Sequence, residues 1–250
     1  MKAILAPTWS GAVARAGAKA ILGLLFGLMA MAAPAWATPL ADRAGAWPSW
    51  NLPAPLERPG TSDLTYPSWF EGTWQVRSDG LTYPVRFTRT GAGEVVGDRT
   101  FNAKAIGAAL LGDTLQTVAN DPANPNRQIA TFKTPSGPAF SLESTVVGRR
   151  QEPPSPTSFE ADELALQVLH GPGDPRVSRV ETLSRYELQT DGQITADQWQ
   201  ATYPSPAYGL AAQPTGTDHV VLSLQKLDLE ELELNKLRPR SPQPGSDPAS

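Results

Sequence analysis

"YPSWFEGTW", residues 66–74, runs directly into "QVRS" and then, after a turn, into "TYPVRFTRT". The fold is decided at Gly72. Before it the chain has little periodicity; after it apolar side chains alternate. "GTWQVRS" sets Trp74 and Val76 on one face, and "TYPVRFTRT" sets Tyr83, Val85 and Phe87 on one face with Arg86 and Thr88 on the other. A period of two is the signature of a half-buried strand. The aromatic density just before the switch has two readings, a platform for a ligand or a plug for one end of a barrel.

The same alternation continues downstream. "GEVVGDRTFN" puts Val95, Gly97, Arg99 and Phe101 together if it stays extended, with Gly97 marking a bulge or sharp bend. "NAKAIGAALLGD" breaks the pattern: Asn102 is expected to cap a short helix over residues 103–111 that Gly112 ends. Strands resume in "TLQTVAN", "NRQIATFKT" and "AFSLESTVVGRRQE". In "FEADELALQVLH", Leu164, Leu166 and Val168 favour strand over helix. "RVETLSRYELQ" and "QITADQWQATY" are joined by "TDGQ", whose Asp-Gly is a hairpin signal. "HVVLSLQKLDL" is the last clear strand. The pattern predicts a mainly β, antiparallel, lipocalin-like barrel of about eight to ten strands with one short helix. No internal repeat points to a propeller or solenoid.

The chain has 250 residues, 21 of them basic and 25 acidic. Residues 1–37 read as a signal peptide: three positive charges (Lys2, Arg15, Lys19), a fourteen-residue apolar run at 20–33 and a small-x-small site at Ala35 and Ala37. Cleavage after Ala37 leaves 213 residues with 18 basic against 25 acidic side chains, a formal charge of −7. That balance argues against nucleic acid and anionic lipid as partners. No second run is long enough to span a membrane, so no transmembrane segment is expected after cleavage. Without cysteine the exported product depends on its core. Proline, 25 of 250 residues, is about twice its usual share and sits mainly in connections. The expected organisation is a signal peptide at 1–37, an extended segment at 38–65 with Trp47 and Trp50 pinned to the domain, a barrel at 66–234 and a disordered tail at 235–250.

Two resemblances follow from these residues. Gly72-Thr73-Trp74 at the head of the strand series is similar to the Gly-x-Trp signature of the calycin or lipocalin-like superfamily. The resemblance implies that Trp74 plugs the closed end of the barrel against a basic side chain from a late strand, for which this chain offers Lys226, with Tyr66, Trp69 and Phe70 sealing that end from outside. In addition, "YPSWFEGTWQV", "VVGDRTFNAKAIGAALLG", "DPANPNRQIATF", "VVGRRQE" and "VETLSRYEL…ITADQWQATY" resemble an uncharacterised family of cyanobacterial and plant-plastid proteins known only as a domain of unknown function. That resemblance spans about residues 65–227. It implies a photosynthetic organism and a destination in the thylakoid lumen or periplasm, and supplies no mechanism.

Little in the chain suggests catalysis. Its two histidines, His170 and His219, and its lack of cysteine make a metal site unexpected, and no cofactor is implied. There is no Gly-x-Ser-x-Gly elbow and no phosphate-cradling loop. The informative residues are polar ones inside strands: Arg86, Arg99, Asn102, Arg127, Glu143, Arg149, Arg150, Glu152, Glu181, Tyr186 and Gln198. Arg99 is expected to point inward and to find a partner among Glu143, Glu152 and Glu181. Two readings stand: an internal ion-pair network that fixes register, or an anchor for an anion or carboxylate at the bottom of a ligand cavity. On the second, Arg99, Phe101, Arg86, Arg149, Tyr186 and Gln198 form the candidate ligand-binding set, with at most one of Arg149 and Arg150 facing in. "YPSPAYGLAAQP", residues 203–214, is a candidate lid. The chain is therefore expected to be an exported non-enzymatic protein that binds a small, partly apolar ligand such as a pigment or lipid. The alternative is a structural or assembly factor for a photosynthetic membrane complex.

Overall fold

Alternation from Gly72 onward becomes a single antiparallel sheet. The computed structural model describes residues 38–133 and 137–228; the expected signal peptide and tail lie outside the described residues. Eleven strands are formed there: β1 (Thr65–Tyr66), β2 (Gly72–Ser78), β3 (Leu81–Arg89), β4 (Val95–Gly97), β5 (Leu115–Asp121), β6 (Asn124–Lys133), β7 (Ala139–Ser155), β8 (Ser158–His170), β9 (Arg176–Leu188), β10 (Ile194–Pro204) and β11 (Gly216–Lys226). Their order is β1-β4-β3-β2-β11-β10-β9-β8-β7-β6-β5, a curled, mainly β, barrel-like sheet as the periodicity predicts. The return from β11 to β2 sets Lys226 opposite Trp74 and brings the first strands beside the last.

Two helices accompany the sheet: α1 (Pro39–Gly45) and α2 (Arg99–Leu111). α2 packs on β3 and on β5, the last strand of the sheet's other end, so it fills the seam that the curl leaves. Its bounds differ from the sequence reading. Asp98, not Asn102, is the N-cap and accepts from the Phe101 amide at 3.0 Å, while Gly112 ends the helix as expected. Gly107 lets α2 approach Leu115, whose side chain stands where a β-carbon would project. The proline-rich "PPSPTS" is also not a plain loop: Pro153 and Pro154 lie in β7, where the register slips between Glu152 and Ser155, so their missing N–H groups break no regular ladder.

Period two sorts the sheet into two cores. On the concave side Trp74, Val76, Val85, Phe87, Ile194, Ala196, Leu222 and Leu224 meet Phe70 and Phe159. On the convex side Leu183, Ala201 and Tyr203 are covered by Leu40 and Ala44 of α1 and by Trp50 and Leu52. The segment expected to be extended is thus a strap that opens with a helix, capped by the Thr38 hydroxyl and started by Pro39. Beyond it, Leu52 bridges Ala212 and Glu57 bridges Arg149.

The strap is held by charge. Arg43 of α1 forks onto Glu181 of β9, Nε at 2.8 Å and Nη2 at 2.7 Å, and the Tyr203 hydroxyl donates to the same carboxylate at 2.6 Å. Glu160 pairs with Arg185 and Glu152 with Arg150. Asp162 is left without a cation: it is fully buried, and neither oxygen accepts a hydrogen bond among the described residues. Burial first, and then the neighbouring Glu181 charge, push its pKa well above the usual carboxylate range, which favours the protonated acid beside Glu181.

Because folded Asp162 keeps its proton where the unfolded chain has lost it, its contribution is complete below the ordinary Asp pKa of about 3.9 and is lost as pH rises through the raised folded value. Asp162→Asn keeps a donor to Glu181 and carries no charge. Thermal unfolding should show this variant gaining on the wild type as pH is raised above about 4, with the gap widening until pH passes the raised folded value.

Candidate functional site

Above the aromatic cluster of the concave face lies a cavity of about 290 Å³. Its walls come from β2, β3, β6, β9, β10 and β11, with Tyr66 of β1, Asp63 just before it, and Arg99, Asn102, Ala103 and Ile106 of α2 as the roof. Such distant segments meet only because the sheet curls and α2 covers the seam.

The floor is built from the opening stretch. Phe70 is fully buried, with ring centroids 4.9 Å from Tyr66, 4.9 Å from Phe87 and 5.0 Å from Tyr186, and Trp69 stacks on it at 4.2 Å. Phe70 therefore belongs to the inner core, and the partly buried Tyr66 and Trp69 pack against it. Trp74 is 1% exposed, donates from Nε1 to the Phe70 carbonyl at 2.7 Å and has Lys226 Nζ 5.6 Å above its ring. Gly72 has φ of 122°, and a β-carbon there would stand 2.8 Å from Lys226 Cε. The backbone conformation thus calls for glycine, and a β-carbon there would also push the flexible end of Lys226 aside.

The roof is set by "DRTFN", and each residue has a separate task. β4 stops at Gly97, so β3 continues without a strand partner on that edge, while β2 still pairs with the other. The Asn102 carboxamide takes the place of a peptide: its Oδ1 accepts from the Arg86 N–H at 2.6 Å and its Nδ2 donates to the Arg86 carbonyl at 3.0 Å. Asp98 donates its own N–H to that carbonyl at 2.9 Å and holds the Arg86 guanidinium with its carboxylate. Phe101 lies under Arg86, whose Cζ is 4.4 Å from the ring centroid. Arg99 turns into the cavity, its Nε 2.7 Å from Asp63 and its Nη2 3.2 Å from Glu163.

These placements divide the candidate set. Arg99, Tyr186 and Gln198 line the cavity. Phe101 and Arg86 do not: they stack on each other away from it. Arg99 and Phe101 share no strand face because both lie on a helix, where residues two apart point about 200° apart. Arg149 is the inward member of its pair, but it acts behind the cavity wall. It binds Glu163 at 2.7 Å, the Ser62 carbonyl at 2.8 Å and Asn126 Oδ1 at 2.6 Å, tying the strap to β7. The acids expected for Arg99 are occupied elsewhere: Glu143 by Arg127, Glu152 by Arg150 and Glu181 by Arg43. The 203–214 loop supplies no lining residue and folds toward the convex side, where Ala212 bridges Leu52, so it is not a lid over this cavity.

Several lining residues escaped sequence reasoning. Asp63 sits in an aperiodic stretch that carries no signal. Ile106 and Gln128 give no hint of a cavity without the curl. Tyr83 shares one strand face with Val85 and Phe87, as the alternation predicts, and that face lines the cavity. Burial raises the pKa of Tyr66, Tyr83 and Tyr186, so all three phenols are neutral at physiological pH. Among the described residues, no three His, Cys, Asp or Glu side chains group to hold a metal ion, and no helix is long and apolar enough to cross a membrane.

Asn102→Ala should strip the Arg86 N–H of its acceptor at a half-buried site and loosen the roof. The expected cost is about 1–3 kcal/mol, read from the urea midpoint. Lys104→Ala, an exposed change on the same helix, should leave that midpoint unmoved.

No curated protein and no solved structure matches the chain. Residues 78–226, which hold every strand from β3 to β11, match the model of a domain of unknown function, DUF6816. That match covers more than half of the 250 residues, and the chain belongs to the DUF6816 family.

Proposed function

We propose that this chain is an exported, non-enzymatic binding protein of a photosynthetic organism. In this reading it works in the thylakoid lumen or periplasm and holds a small, partly apolar molecule such as a pigment or lipid fragment in a lipocalin-like barrel. The observation that carries the reading is the cavity of about 290 Å³, walled by Tyr66, Val76, Tyr83, Val85, Phe87, Leu222 and Leu224, with a few convergent polar groups at Arg99 and Gln198. That mixture, mostly apolar with a small number of polar groups, is the composition of ligand pockets, and the volume lies near the lower end of their range of about 300–1,000 Å³. The apolar leader ending in a small-x-small site supports export. Native mass spectrometry of protein purified from its own source should find a stoichiometric bound molecule. Ala103→Trp, which builds into the cavity from the roof, should lose it while keeping the far-UV spectrum. A source protein with no bound molecule would sink the reading.

One observation favours the second reading, an assembly factor for a photosynthetic membrane complex. Arg179, 5% exposed, donates to the carbonyls of Pro204, Gly209 and Leu210 at 2.9, 3.1 and 2.9 Å. The loop so fixed presents Tyr208 at 85% and Leu210 at 77% exposure. Rigid, exposed aromatic and aliphatic side chains are what a contact anchor needs. On this reading Tyr208→Ser combined with Leu210→Ser removes co-purifying partners without changing the melting temperature. Unchanged co-purification would count against it.

A further inference from the structure

The groups facing the cavity define what it takes, an inference that rests on the binding reading above. Every charged group there is already matched. Arg99 binds Asp63 at 2.7 Å and Glu163 at 3.2 Å, and Glu163 also receives Arg149 at 2.7 Å. Two cations and two carboxylates make a closed, formally neutral cluster. An entering anion would meet Asp63 and Glu163 at contact distance as soon as it reached the guanidinium, and would lose its hydration as well. An entering cation would have to take Asp63 from Arg99.

Each amide is engaged through its nitrogen. Asn102 uses both ends on Arg86, Gln198 donates to Ser184 at 3.0 Å and Gln128 donates to Asn120 at 2.9 Å. The third guanidinium nitrogen of Arg99, Nη1, and the hydroxyls of Tyr66 and Tyr83 form no hydrogen bond to the described residues. The Tyr66 phenol lies close enough to Arg99, Asp63 and Glu163 to feel their charges, so it and Arg99 address the same end of the cavity. The rest of the wall is apolar.

We propose that the cavity takes an uncharged, largely apolar molecule through a carbonyl or ether oxygen seated at Arg99 Nη1 and the Tyr66 hydroxyl, and rejects a carboxylate of the same shape. Arg99 then acts as a charge-compensated donor, not as an anion anchor. The cluster supplies orientation, and the aromatic floor supplies most of the contact area.

The test uses a matched pair of probes, 4-phenyl-2-butanone and 3-phenylpropanoate, titrated into the full chain and read by tryptophan fluorescence and calorimetry. The ketone is expected to bind at least about tenfold tighter than the carboxylate. Tyr66→Phe should weaken the ketone about fivefold, the loss of one ordinary hydrogen bond, with little effect on the carboxylate. Glu163→Gln removes one compensating charge and should narrow or reverse the preference. Tyr66→Phe deletes only a hydroxyl and keeps the test intact if Glu163→Gln does not fold. A wild-type preference for the carboxylate overturns the ligand class and leaves the cavity reading standing. So does a failure to bind either probe by protein that carries a bound molecule in native mass spectrometry. A protein that binds neither probe and carries nothing overturns both.

Discussion

Two hydrogen bonds between the Asn102 carboxamide and the Arg86 backbone fix the roof of the cavity on the sheet. The constraint they answer is general. A strand whose neighbour stops leaves N–H and C=O groups without partners, and at a partly buried edge those groups must be satisfied. β4 is three residues long and ends at Gly97, opposite Phe87. The next backbone groups on β3 belong to Arg86. A continued strand would have satisfied them and closed the sheet with a wall. A helix carrying one asparagine satisfies them and supplies a roof, with Ala103 and Ile106 toward the space beneath and Arg99 at its edge. The position of α2, the occupancy of β3 and the existence of the cavity therefore share one cause.

Most charges brought inside this protein are matched by a local opposite charge; buried Arg179 is instead held by three backbone carbonyls. On the concave side Arg99 and Arg149 share Asp63 and Glu163. On the convex side Arg43, Arg150 and Arg185 answer Glu181, Glu152 and Glu160. Asp162 is the surplus acid, and burial beside Glu181 raises its pKa and so favours its neutral form. A buried pair is costly to break because the abandoned partner keeps its desolvation penalty, about 3–5 kcal/mol. These pairs therefore act chiefly to choose one arrangement: α1 can dock on the convex face only where Arg43 meets Glu181. The same local matching leaves a cavity whose charges are already satisfied, and this shapes the kind of molecule that suits it.

Much of the fold was legible because its signals are local. Alternation in "GTWQVRS" and "TYPVRFTRT", Leu164, Leu166 and Val168 in β8, and Asp-Gly between β9 and β10 each report the conformation of a few neighbouring residues. Gly72 and Trp74 were readable with Lys226, since register places Lys226 opposite Trp74. The site was less legible. Tyr186 and Gln198 follow from strand parity, and Arg99 reached the cavity although it lies on a helix and not on the expected strand. The helix started four residues early because Asp98 outcompeted Asn102 as its cap, and Asn102 was needed by the sheet. Parity then failed for Phe101.

The sequence by itself determined the class of structure: antiparallel strands, one helix in the middle of the series, an aromatic floor at Gly-x-Trp, and no legible catalytic constellation. Periodicity, glycine and aspartate–glycine turns act over a few residues, and the hydrophobic effect turns them into faces without knowing the final topology. Tertiary structure alone decided which acid met which arginine. Asp63 reaches Arg99 across 36 positions and Glu163 reaches it across 64. No local pattern encodes such pairings, because they depend on how the sheet curls and where its edge is covered. The cavity, and the neutrality of the charges around it, belong to that second class.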